Sequence, residues 1–478
     1  MSINITFQDG RGDFGLGPDY RIKKDGPSVE LVSIRNRKTS FAWKFGWHTL
    51  SEIFLPSGFP DTVTPGKYSN YTQVLGPDAN FSSVDYIRYQ IFDSLQAFSS
   101  SIAGLLSSRA VLEGFGVGDG KASSTSAVLL SVMQDATGRL ATIFFAWKFG
   151  TALAPEAKMY RLAADIFNDS AFILDCLSPA LPTQPRIAAL CIAGALRAIC
   201  GVCGGGAKAA LSVHFARAGN VGELNAKDAS QETVVGLLGM LCGSLVMSHI
   251  TSRPATWAAL SFLLILHLVT NYLAVRAVAL TTLNRQRANI AYGLYCSQEG
   301  VVPSPSEVAR IERIFEVPAT VRDPSSGYVL GKCTICSSAE ELLHSSRRKS
   351  TTSWRDALEV FRDEPYVLLG TEADASCQLL VFFKREVLPE DYLKAWINAF
   401  EFCRRAVASR RKPQRIVERS VTEELNILQS SLDQINKILP DFLEKAKKAG
   451  WDLVMDAICT GPVRIVNIRI DTEEKKDR

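Results

Sequence analysis

The sequence predicts a mainly α-helical protein, in which a multi-helix, membrane-embedded bundle is followed by a small α+β C-terminal domain. Two neighbouring segments, Val234–Ile250 and Pro254–Leu283, carry Arg276 as their only formal charge, and about 20 apolar residues span a bilayer as a helix. Residues 84–283 hold 26 charged side chains in 200 positions, whereas residues 284–478 hold 59 in 195. Because soluble domains carry about 25% charged residues, this contrast favours an embedded middle and a solvated C-terminal part.

Three features of the sequence limit the classes of protein to which the chain could belong: net charge, cysteine usage and the N-terminus. The formal charge of +4 is nearly balanced, so composition gives no reason to expect a nucleic-acid partner. The 11 cysteines are scattered and several lie in apolar helices, which is typical of a reducing compartment. The first residues resemble neither a signal peptide nor a transit peptide, so an internal helix is expected to direct membrane insertion.

Composition shifts divide the chain into five predicted regions. They are an irregular, extended region 1–83, a helical membrane domain 84–300, a linker 301–325, an α+β domain 326–470 and a disordered tail 471–478. Turn signals such as Asp25–Gly26 punctuate the first region, and Pro303 with Pro305 opens the linker.

The membrane domain begins with two long predicted helices. Apolar periodicity places the first over about Val84–Leu112, and the glycine-rich Glu113–Gly120 separates it from the second, about Ser123–Phe149. Asp135 and Arg139 lie one turn apart in the second helix, where an i, i+4 ion pair would make their burial tolerable.

A third helix, about Pro155–Leu177, carries a polar stripe. Its polar residues recur at three and four positions: Lys158, Arg161, Asp165, Asn168 and Asp169. A fourth helix, about Arg186–Ile199, is predicted to break at the glycine-rich Cys200–Gly206. A fifth helix, about Ala207–Ala218, contains His214.

The two apolar segments form a predicted helical hairpin. Asp228 and Ser230, with Gln231 and Glu232, are expected to cap the start of the first helix. Ser252–Pro254 breaks the chain before the second. His267 and Asn271 lie on one face of the second helix. Polar groups at membrane depth are functional candidates, although a hydrogen bond to a neighbouring helix would also explain these two.

Small residues lie within the predicted hairpin, and basic residues follow it. Gly236, Gly239 and Gly243 have a spacing that lets two helix backbones approach closely. Arg285 and Arg287 follow the second helix, which predicts that its end faces the cytosol.

The C-terminal domain is predicted from alternating strands and helices. The strands are Tyr366–Leu369, Gln378–Phe383 and Val463–Ile470, and the amphipathic helices are Leu388–Ala408 and Val421–Ala449. Their charged faces are typical of a solvated domain.

Nine polar residues are candidates for a ligand path through the bundle: Asp135, Arg139, Arg161, Asp165, Asn168, Asp169, His214, His267 and Asn271. Charge pairing and ligand hydrogen bonding would be their roles. We find no nucleophile beside a base, and the CxxC pairs beginning at Cys200 and Cys333 do not make a convergent four-ligand zinc set. We therefore predict no enzyme activity, no cofactor and no metal site.

Several blocks of the sequence resemble the root-UVB-sensitive protein family. They are GFPDTVTP at Gly58–Pro65, DSLQAFSSSIAGLL at Asp93–Leu106, AVLEGFGVGD at Ala110–Asp119, YRLAADIFND at Tyr160–Asp169, HFARAGNVGELNAKDASQET at His214–Thr233 and NYLAVRAVALTTLNRQRA at Asn271–Ala288. The blocks keep one order over roughly residues 50–310, while the C-terminal domain fits more loosely. One departure is Phe92, where plant members have Trp.

The resemblance implies a eukaryotic membrane-associated protein without an established catalytic mechanism. Plant members are linked to development under ultraviolet-B, to vitamin B6 homeostasis and to auxin transport, and two of them act as a pair. The expected partners are therefore the lipid bilayer and either a second copy or another family member, with no nucleic acid. We expect two to six spans in an internal membrane, with the C-terminal domain in the cytosol.

Two hypotheses about function follow from the sequence. The first is a multi-span membrane protein in the transport or homeostasis of a small metabolite. The alternative is a membrane-anchored scaffold that binds a protein partner through its C-terminal domain, in which case the polar residues of the bundle only hold helices together.

Overall fold

The computed structural model describes nine stretches of the chain: 20–25, 28–33, 84–114, 124–216, 219–335, 354–371, 377–384, 387–410 and 421–461. The fold is mainly helical. Near the N-terminus, β1 (Tyr20–Asp25) and β2 (Ser28–Ser33) pair as an antiparallel hairpin around the predicted turn. The glycine-rich segment after the first long helix, the predicted strand Val463–Ile470 and the tail lie outside the described residues.

Six long helices form the central bundle. They are α1 (Val84–Gly114), α2 (Ser124–Phe149), α3 (Ala157–Leu177), α4 (Thr183–Phe215), α5 (Val221–His249) and α6 (Arg253–Ala277). Consecutive helices run antiparallel. Arg109, near the end of α1, donates to the Ile250 carbonyl beyond the end of α5 at 2.7 Å, and Tyr86 at the start of α1 packs against Phe215 at the end of α4.

The six helices divide into two units of three. Helix α1 packs most extensively against α5 and α6, while α4 packs most extensively against α2 and α3. Contacts between the two units are fewer, and α3 makes most of them, against α1 and α6. The inner face of α3 is therefore the main interface between the units.

Helix α4 is continuous, so the break predicted at Cys200–Gly206 is wrong. The glycines allow close packing here and do not end the helix. A Cβ atom on Gly206 would lie 2.5 Å from Leu153 Cδ1, and one on Gly204 would lie 3.7 Å from Ala164 Cβ. Glycine costs a helix only about 1 kcal/mol relative to alanine, which close packing of neighbouring helices offsets.

Helix α5 begins earlier than the sequence predicted. It starts at Val221, two turns before Asp228, so the predicted N-cap role of Asp228 is wrong. The Asp228 carboxylate instead accepts from Gln90 Nε2 at 3.1 Å and pairs with Lys208 Nζ at 2.5 Å. A polar residue that resembles a cap in the sequence thus joins α5 to α1 and α4.

Helix α6 begins as predicted and ends earlier. The hydroxyl of Ser252 caps its first turn, and Pro254 occupies the first turn. The helix ends at Ala277 and does not continue to Leu283, because β3 (Thr282–Asn284) pairs with a strand of the C-terminal part.

The outer surface of the bundle is strongly apolar. Trp147 on α2 is 76% exposed, Leu245 on α5 is 66% exposed and Phe262 on α6 is 67% exposed, whereas His267 inside is 1% exposed. A water-soluble bundle would bury most of such large apolar side chains and expose polar ones. By length and composition alone, α4, α5 and α6 could each cross a membrane.

The C-terminal part begins with β3 and alternates helices and strands. Its further elements are α7 (Arg285–Ser297), α8 (Pro305–Ile311), β4 (Thr320–Arg322), β5 (Val329–Ile335), α9 (Trp354–Val360), β6 (Tyr366–Thr371), β7 (Cys377–Phe383), α10 (Pro389–Arg410), α11 (Val421–Lys448) and β8 (Asp452–Ala457). Four strands form one sheet in the order β4-β5-β7-β6, with β5 and β7 parallel and the outer pairs antiparallel. Strand β3 pairs with β8 in parallel.

The core of the C-terminal part reaches further back along the chain than the predicted boundary at residue 300. It includes Leu283 of β3, Tyr292 of α7 and Val308 of α8, which pack with Trp396 and Phe400 of α10. The segment predicted as a linker, residues 301–325, thus contributes both core residues and a strand. Because this segment consists of short pieces without a long apolar run, its contribution to the core could not be recognised from the sequence.

Candidate functional site

Charged side chains of α1, α3 and α6 meet at the interface between the two three-helix units. Arg161, Asp165 and Asp169 lie one turn apart on the inner face of α3, because residues spaced by four share a helix face. All three are buried. We call the following set the charged cluster: Asp93, Gln96, Arg161, Asp165, Asp169, His267 and Asn271.

Arg161 connects α3 to α1. Its Nη2 lies 2.5 Å from Asp93 Oδ1, and its Nη1 lies 3.4 Å from Asp165 Oδ1. Its Nε lies 3.4 Å from the hydroxyl of Tyr89. Arg161 is the one permanent cation among three carboxyl groups in the charged cluster, so the acidic groups outnumber the basic ones whenever His267 is neutral.

His267 and Asn271 connect α6 to α3. His267 Nδ1 lies 2.7 Å from Asp169 Oδ1, and Nε2 lies 3.4 Å from Asp165 Oδ2. The Asn271 side-chain amide donates to Asp165 Oδ2 and, at 3.1 Å, to the Arg161 carbonyl. The imidazole thus lies between two carboxylates, one helical turn apart on α3.

Gln96 lies between Arg161 and His267. The hydrogen-bond network assigns its amide oxygen as the acceptor from Arg161 Nη2, at 2.7 Å, and its amide nitrogen as the donor to His267 Nε2, at 2.9 Å. In this arrangement His267 is a neutral imidazole that carries its proton on Nδ1 and donates it to Asp169.

A second group of charges lies beside the cluster on α4 and α5. Lys208 Nζ lies 2.5 Å from Asp228 and 2.9 Å from Glu232. Carboxylate oxygens of Asp93, Asp228 and Glu232 lie within 4.8 Å of one another, close enough to hold a metal ion. Because the Lys208 ammonium already neutralises two of them, we interpret this group as an ion-pair network between the two units.

The polar interface has an apolar interruption. Phe172, one turn beyond Asp169 on α3, packs in an apolar cluster with Leu106 of α1 and Leu260 of α6. Further along, Asp175 accepts from Ser107 Oγ at 2.6 Å and pairs with Arg197 of α4 at 2.5 Å. Charged groups therefore lie on both sides of an apolar layer.

The structure brings together five of the nine candidate residues: Arg161, Asp165, Asp169, His267 and Asn271. Asn168 lies close by and donates to Ser100 Oγ at 3.3 Å. The other three lie elsewhere. Asp135 and Arg139 are exposed on α2, and within the described part of the chain no ion pair joins them, so the predicted buried pair is wrong.

His214 is also separate from the charged cluster. It lies one residue before the end of α4, half-buried, with its ring centroid 5.3 Å from that of Phe215. The charged groups nearest to it are Lys158 and Arg287, and not the members of the charged cluster.

Two of the three candidate packing glycines lie directly against α1. A Cβ on Gly239 would lie 2.7 Å from Ser101 Cβ and 3.0 Å from the Phe98 carbonyl, and one on Gly243 would lie 2.6 Å from a Leu105 methyl. Gly236 has more room, since a Cβ there would lie 3.9 Å from Ser101 Oγ. These contacts explain why α1 and α5 belong to one unit.

The sequence did not single out Asp93, Gln96 or Lys208 as site residues. Asp93 and Gln96 recur with Tyr89 and Ser100 at three and four residues along α1, which is the same signal that α3 shows. That spacing identifies the polar face of α1, and matching it to the stripe on α3 would have suggested the contact.

Buried ion pairs join the bundle to the C-terminal part. Lys158, at the start of α3, pairs with Glu312, and Arg287 Nη1 lies 3.8 Å from the same carboxylate. Arg276 donates to the Glu312 carbonyl at 2.7 Å. Arg287, interpreted from the sequence as part of a basic flank at the cytosolic end of the second helix, is 2% exposed and belongs to this junction.

Comparison with known proteins identifies the family. Residues 79–299 match the family model described as "Vitamin B6 photo-protection and homoeostasis domain", and residues 348–458 match "Root UVB sensitive protein, C-terminal". The chain belongs to the root-UVB-sensitive family. The first match contains every residue of the charged cluster.

Relatives in the root-UVB-sensitive family cover different shares of this chain. RUS family member 1 of Dictyostelium discoideum is 40% identical over 272 residues, which are 56% of this chain and 48% of that protein. Protein root UVB sensitive 3 of Arabidopsis thaliana is 29% identical over 458 residues, which are 94% of this chain and 92% of that protein. No solved structure gives a significant match.

Proposed function

We propose that this root-UVB-sensitive protein is an integral membrane protein that takes part in the transport or homeostasis of a small polar metabolite. The charged cluster is the site at which the metabolite binds. The protein spans an internal membrane several times, and its charge-rich C-terminal part lies in the cytosol.

The observation that carries this proposal is the position of the charged cluster between two separately packed helical units. Buried charges are costly, and within a membrane they are kept mainly on substrate or ion paths. A site between two rigid units becomes accessible from one side or the other when the units move relative to each other. The apolar exterior of the bundle, with Trp147 and Leu245 exposed, supports the membrane location.

The layer around Phe172 supports a gated path. It lies between the charged cluster and the Asp175–Arg197 pair, so polar groups on the two sides of the bundle are separated by packed apolar side chains. In a transporter such a layer keeps the resting protein closed to water and solutes.

The family description suggests the class of metabolite. It names vitamin B6, whose vitamers are small pyridine derivatives with several hydrogen-bonding groups. Asp165 and Asp169 accept hydrogen bonds, while Arg161 and Asn271 donate them, so the cluster has the chemical groups needed to hold a polar heterocycle. The excess of carboxylates favours a substrate that carries a proton or a positive charge.

Membrane insertion is tested first. The full chain with a C-terminal tag is expressed, its membranes are washed with alkaline carbonate, and sealed vesicles are treated with protease. We expect the protein to stay in the membrane and the tag to be cleaved from the cytosolic side. Release by carbonate would rule out both the membrane location and transport.

Transport is then tested with labelled pyridoxine in vesicles that contain the purified protein. We expect Asp169→Asn to abolish uptake while the protein still accumulates in membranes, because the carboxylate is lost and the volume is kept. The matched control is Asp433→Asn on the exposed face of α11, which should leave uptake unchanged. Equal uptake by the wild type and by Asp169→Asn would show that the charged cluster does not take part in transport.

The scaffold hypothesis has one observation in its favour. Most of the charges in the cluster are paired with one another, as they would be if they only held the helices together. In that case Asp169→Asn protein that folds normally should retain its cellular function, whereas a substrate-binding cluster predicts loss of function in the same protein.

A further inference from the structure

We propose that the charged cluster is a proton-binding site, at which His267 takes up one proton between Asp165 and Asp169. This deepens the proposed function, because the proton would be the ion that accompanies the metabolite. The inference rests on the geometry of the acceptors and charges around the imidazole.

Acceptors outnumber donors in the cluster. Among the described residues, Asp169 Oδ2 and Asn271 Oδ1 have no hydrogen-bond partner, although Asp169 is 4% exposed and Asn271 is fully buried. An unsatisfied buried acceptor costs about 1–3 kcal/mol, and more when it is charged. Both atoms belong to residues that contact the imidazole or the carboxylate beside it, so the surroundings of His267 hold more buried acceptors than donors.

Charge balance leads to the same conclusion. Asp165, Asp169 and Arg161 of α3 face His267 directly. Asp93 and Tyr89 of α1 contact Arg161, and Cys200 of α4 lies near the same three groups of α3. Asp228 of α5 lies beside Asp93 and acts on Tyr89, and it is itself paired with Lys208. Arg161 is thus the only cation among these groups that faces three carboxylates, and one added positive charge reduces the imbalance.

The position of the imidazole favours a proton over a metal cation. Sodium and other hard cations prefer cages made of oxygen atoms, whereas an imidazole between two carboxylates takes a proton readily. In the neutral form, Nδ1–H donates to Asp169 and Nε2 accepts from Gln96. A proton added to Nε2 turns that nitrogen into a donor towards Asp165 Oδ2, which is already 3.4 Å away.

Protonation would therefore change one contact within the unit of α1, α5 and α6 and one contact across the interface between the units. Gln96 on α1 loses its acceptor on His267, and the imidazolium on α6 gains a second charged bond to α3. The protonation of His267 is a balanced step, because one proton is taken up from water and none is released. Proton uptake thus weakens the contact of α6 with α1 and strengthens its contact with α3.

The test follows His267 in the intact protein. The other four histidines, His48, His214, His249 and His344, are changed to Gln, the remaining histidine is labelled with ¹⁵N, and infrared difference spectra are recorded on the full chain in lipid between about pH 9 and pH 5. We expect the bands of neutral imidazole to be replaced by those of imidazolium, and Asp169→Asn to shift that transition to lower pH. An imidazole that stays neutral over the whole range overturns the proposal.

Thermal stability supplies a second measurement that does not depend on the multiple substitution. If the folded state binds one proton more than the unfolded state, it becomes more stable as the pH falls. The Tm of the wild type should then rise by roughly 3–5 °C per pH unit relative to that of His267→Gln. The same scan is run in sodium chloride and in choline chloride. The proposal would also be overturned if sodium raised the Tm while the wild type and His267→Gln showed the same dependence of Tm on pH.

The two proposals can fail separately. If His267 titrates but pyridoxine uptake is absent at every pH, the proton site stands and the transport function is wrong. If uptake occurs with the same rate at every pH and His267 does not titrate, transport stands and the proton site is wrong.

Discussion

Replacing Arg161 by Met tests whether the charged cluster also holds the two helical units together. The substitution keeps the length and apolar part of the side chain and removes the guanidinium that lies 2.5 Å from Asp93 and 3.4 Å from Asp165. Both carboxylates are buried and would lose their cation. Removing one partner of a buried ion pair costs about 3–5 kcal/mol, because a charge is left uncompensated in the interior.

The measurement is the Tm of the purified full chain in detergent, followed by tryptophan fluorescence. A loss of about 3–5 kcal/mol in a folding unit of this size lowers Tm by roughly 10 °C. The matched control is Arg362→Met, which removes an exposed ion pair to Glu359 and should cost less than about 1 kcal/mol. A double variant, Asp93→Asn with Arg161→Met, should recover part of the loss, since coupling between contacting residues amounts to about 0.5–3 kcal/mol.

Two results would refute this reasoning. If Arg161→Met and Arg362→Met lower Tm by the same small amount, the cluster does not hold the units together. If the double variant is as unstable as the sum of its two single variants, Arg161 does not stabilise the protein through the charge on Asp93, and its guanidinium acts through its other partners, Asp165 and Tyr89.

Three further predictions concern packing, pH and a buried hydrogen bond. Gly239→Ala should destabilise the bundle by about 1–3 kcal/mol through overpacking against α1, while Gly236→Ala should be nearly neutral; equal Tm values would contradict the packing argument. Burial alone would raise the pKa of Glu316, but hydrogen bonds from Arg322 outweigh it and hold that pKa below its usual value. The stability that the ionised Glu316 provides is therefore present above about pH 4.3 and is lost as the pH falls through its folded pKa. The difference in Tm between wild type and Glu316→Gln should therefore shrink on acidification from neutral pH, and a constant difference would argue against an ionised Glu316. Trp451→Phe should cost about 1–3 kcal/mol in chemical denaturation, because it leaves a buried carbonyl without its indole donor at 2.8 Å; an unchanged midpoint would mean that the carbonyl is hydrated.

The polar stripe on α3 could be predicted because it depends only on spacing along one helix. Arg161, Asp165 and Asp169 share a face whatever that face contacts. Which helices supply the opposing residues could not be predicted in the same way, since a period of 3.6 residues identifies a face and says nothing about its neighbour. His267 and Asn271 were found because polar residues are rare in the apolar α6, whereas Asp93 was overlooked in the more polar start of α1.

Predictions that rested on local chemistry alone were less successful. Asp228 resembles an N-cap in sequence, yet α5 extends two turns further because the Lys208 ammonium, and not a helix end, satisfies the carboxylate. The glycines of Cys200–Gly206 resemble a break, yet α4 continues because Leu153 and Ala164 occupy the space that side chains would need. In both positions a contact distant in sequence overrides the local preference.

The arrangement of close contacts suggests which parts of the bundle move together. Gly239 and Gly243 bring α5 against α1 within one unit, and Gly206 brings α4 against Leu153, just before α3, within the other. Between the units, the polar bonds of the charged cluster lie beside apolar contacts such as that of Phe172 with Leu106. The polar bonds can be exchanged without creating a cavity in a packed core. A proton on His267 changes bonds at that boundary and leaves the glycine contacts unaltered. Relative motion of the two units is therefore the conformational change that the charged cluster is best placed to control.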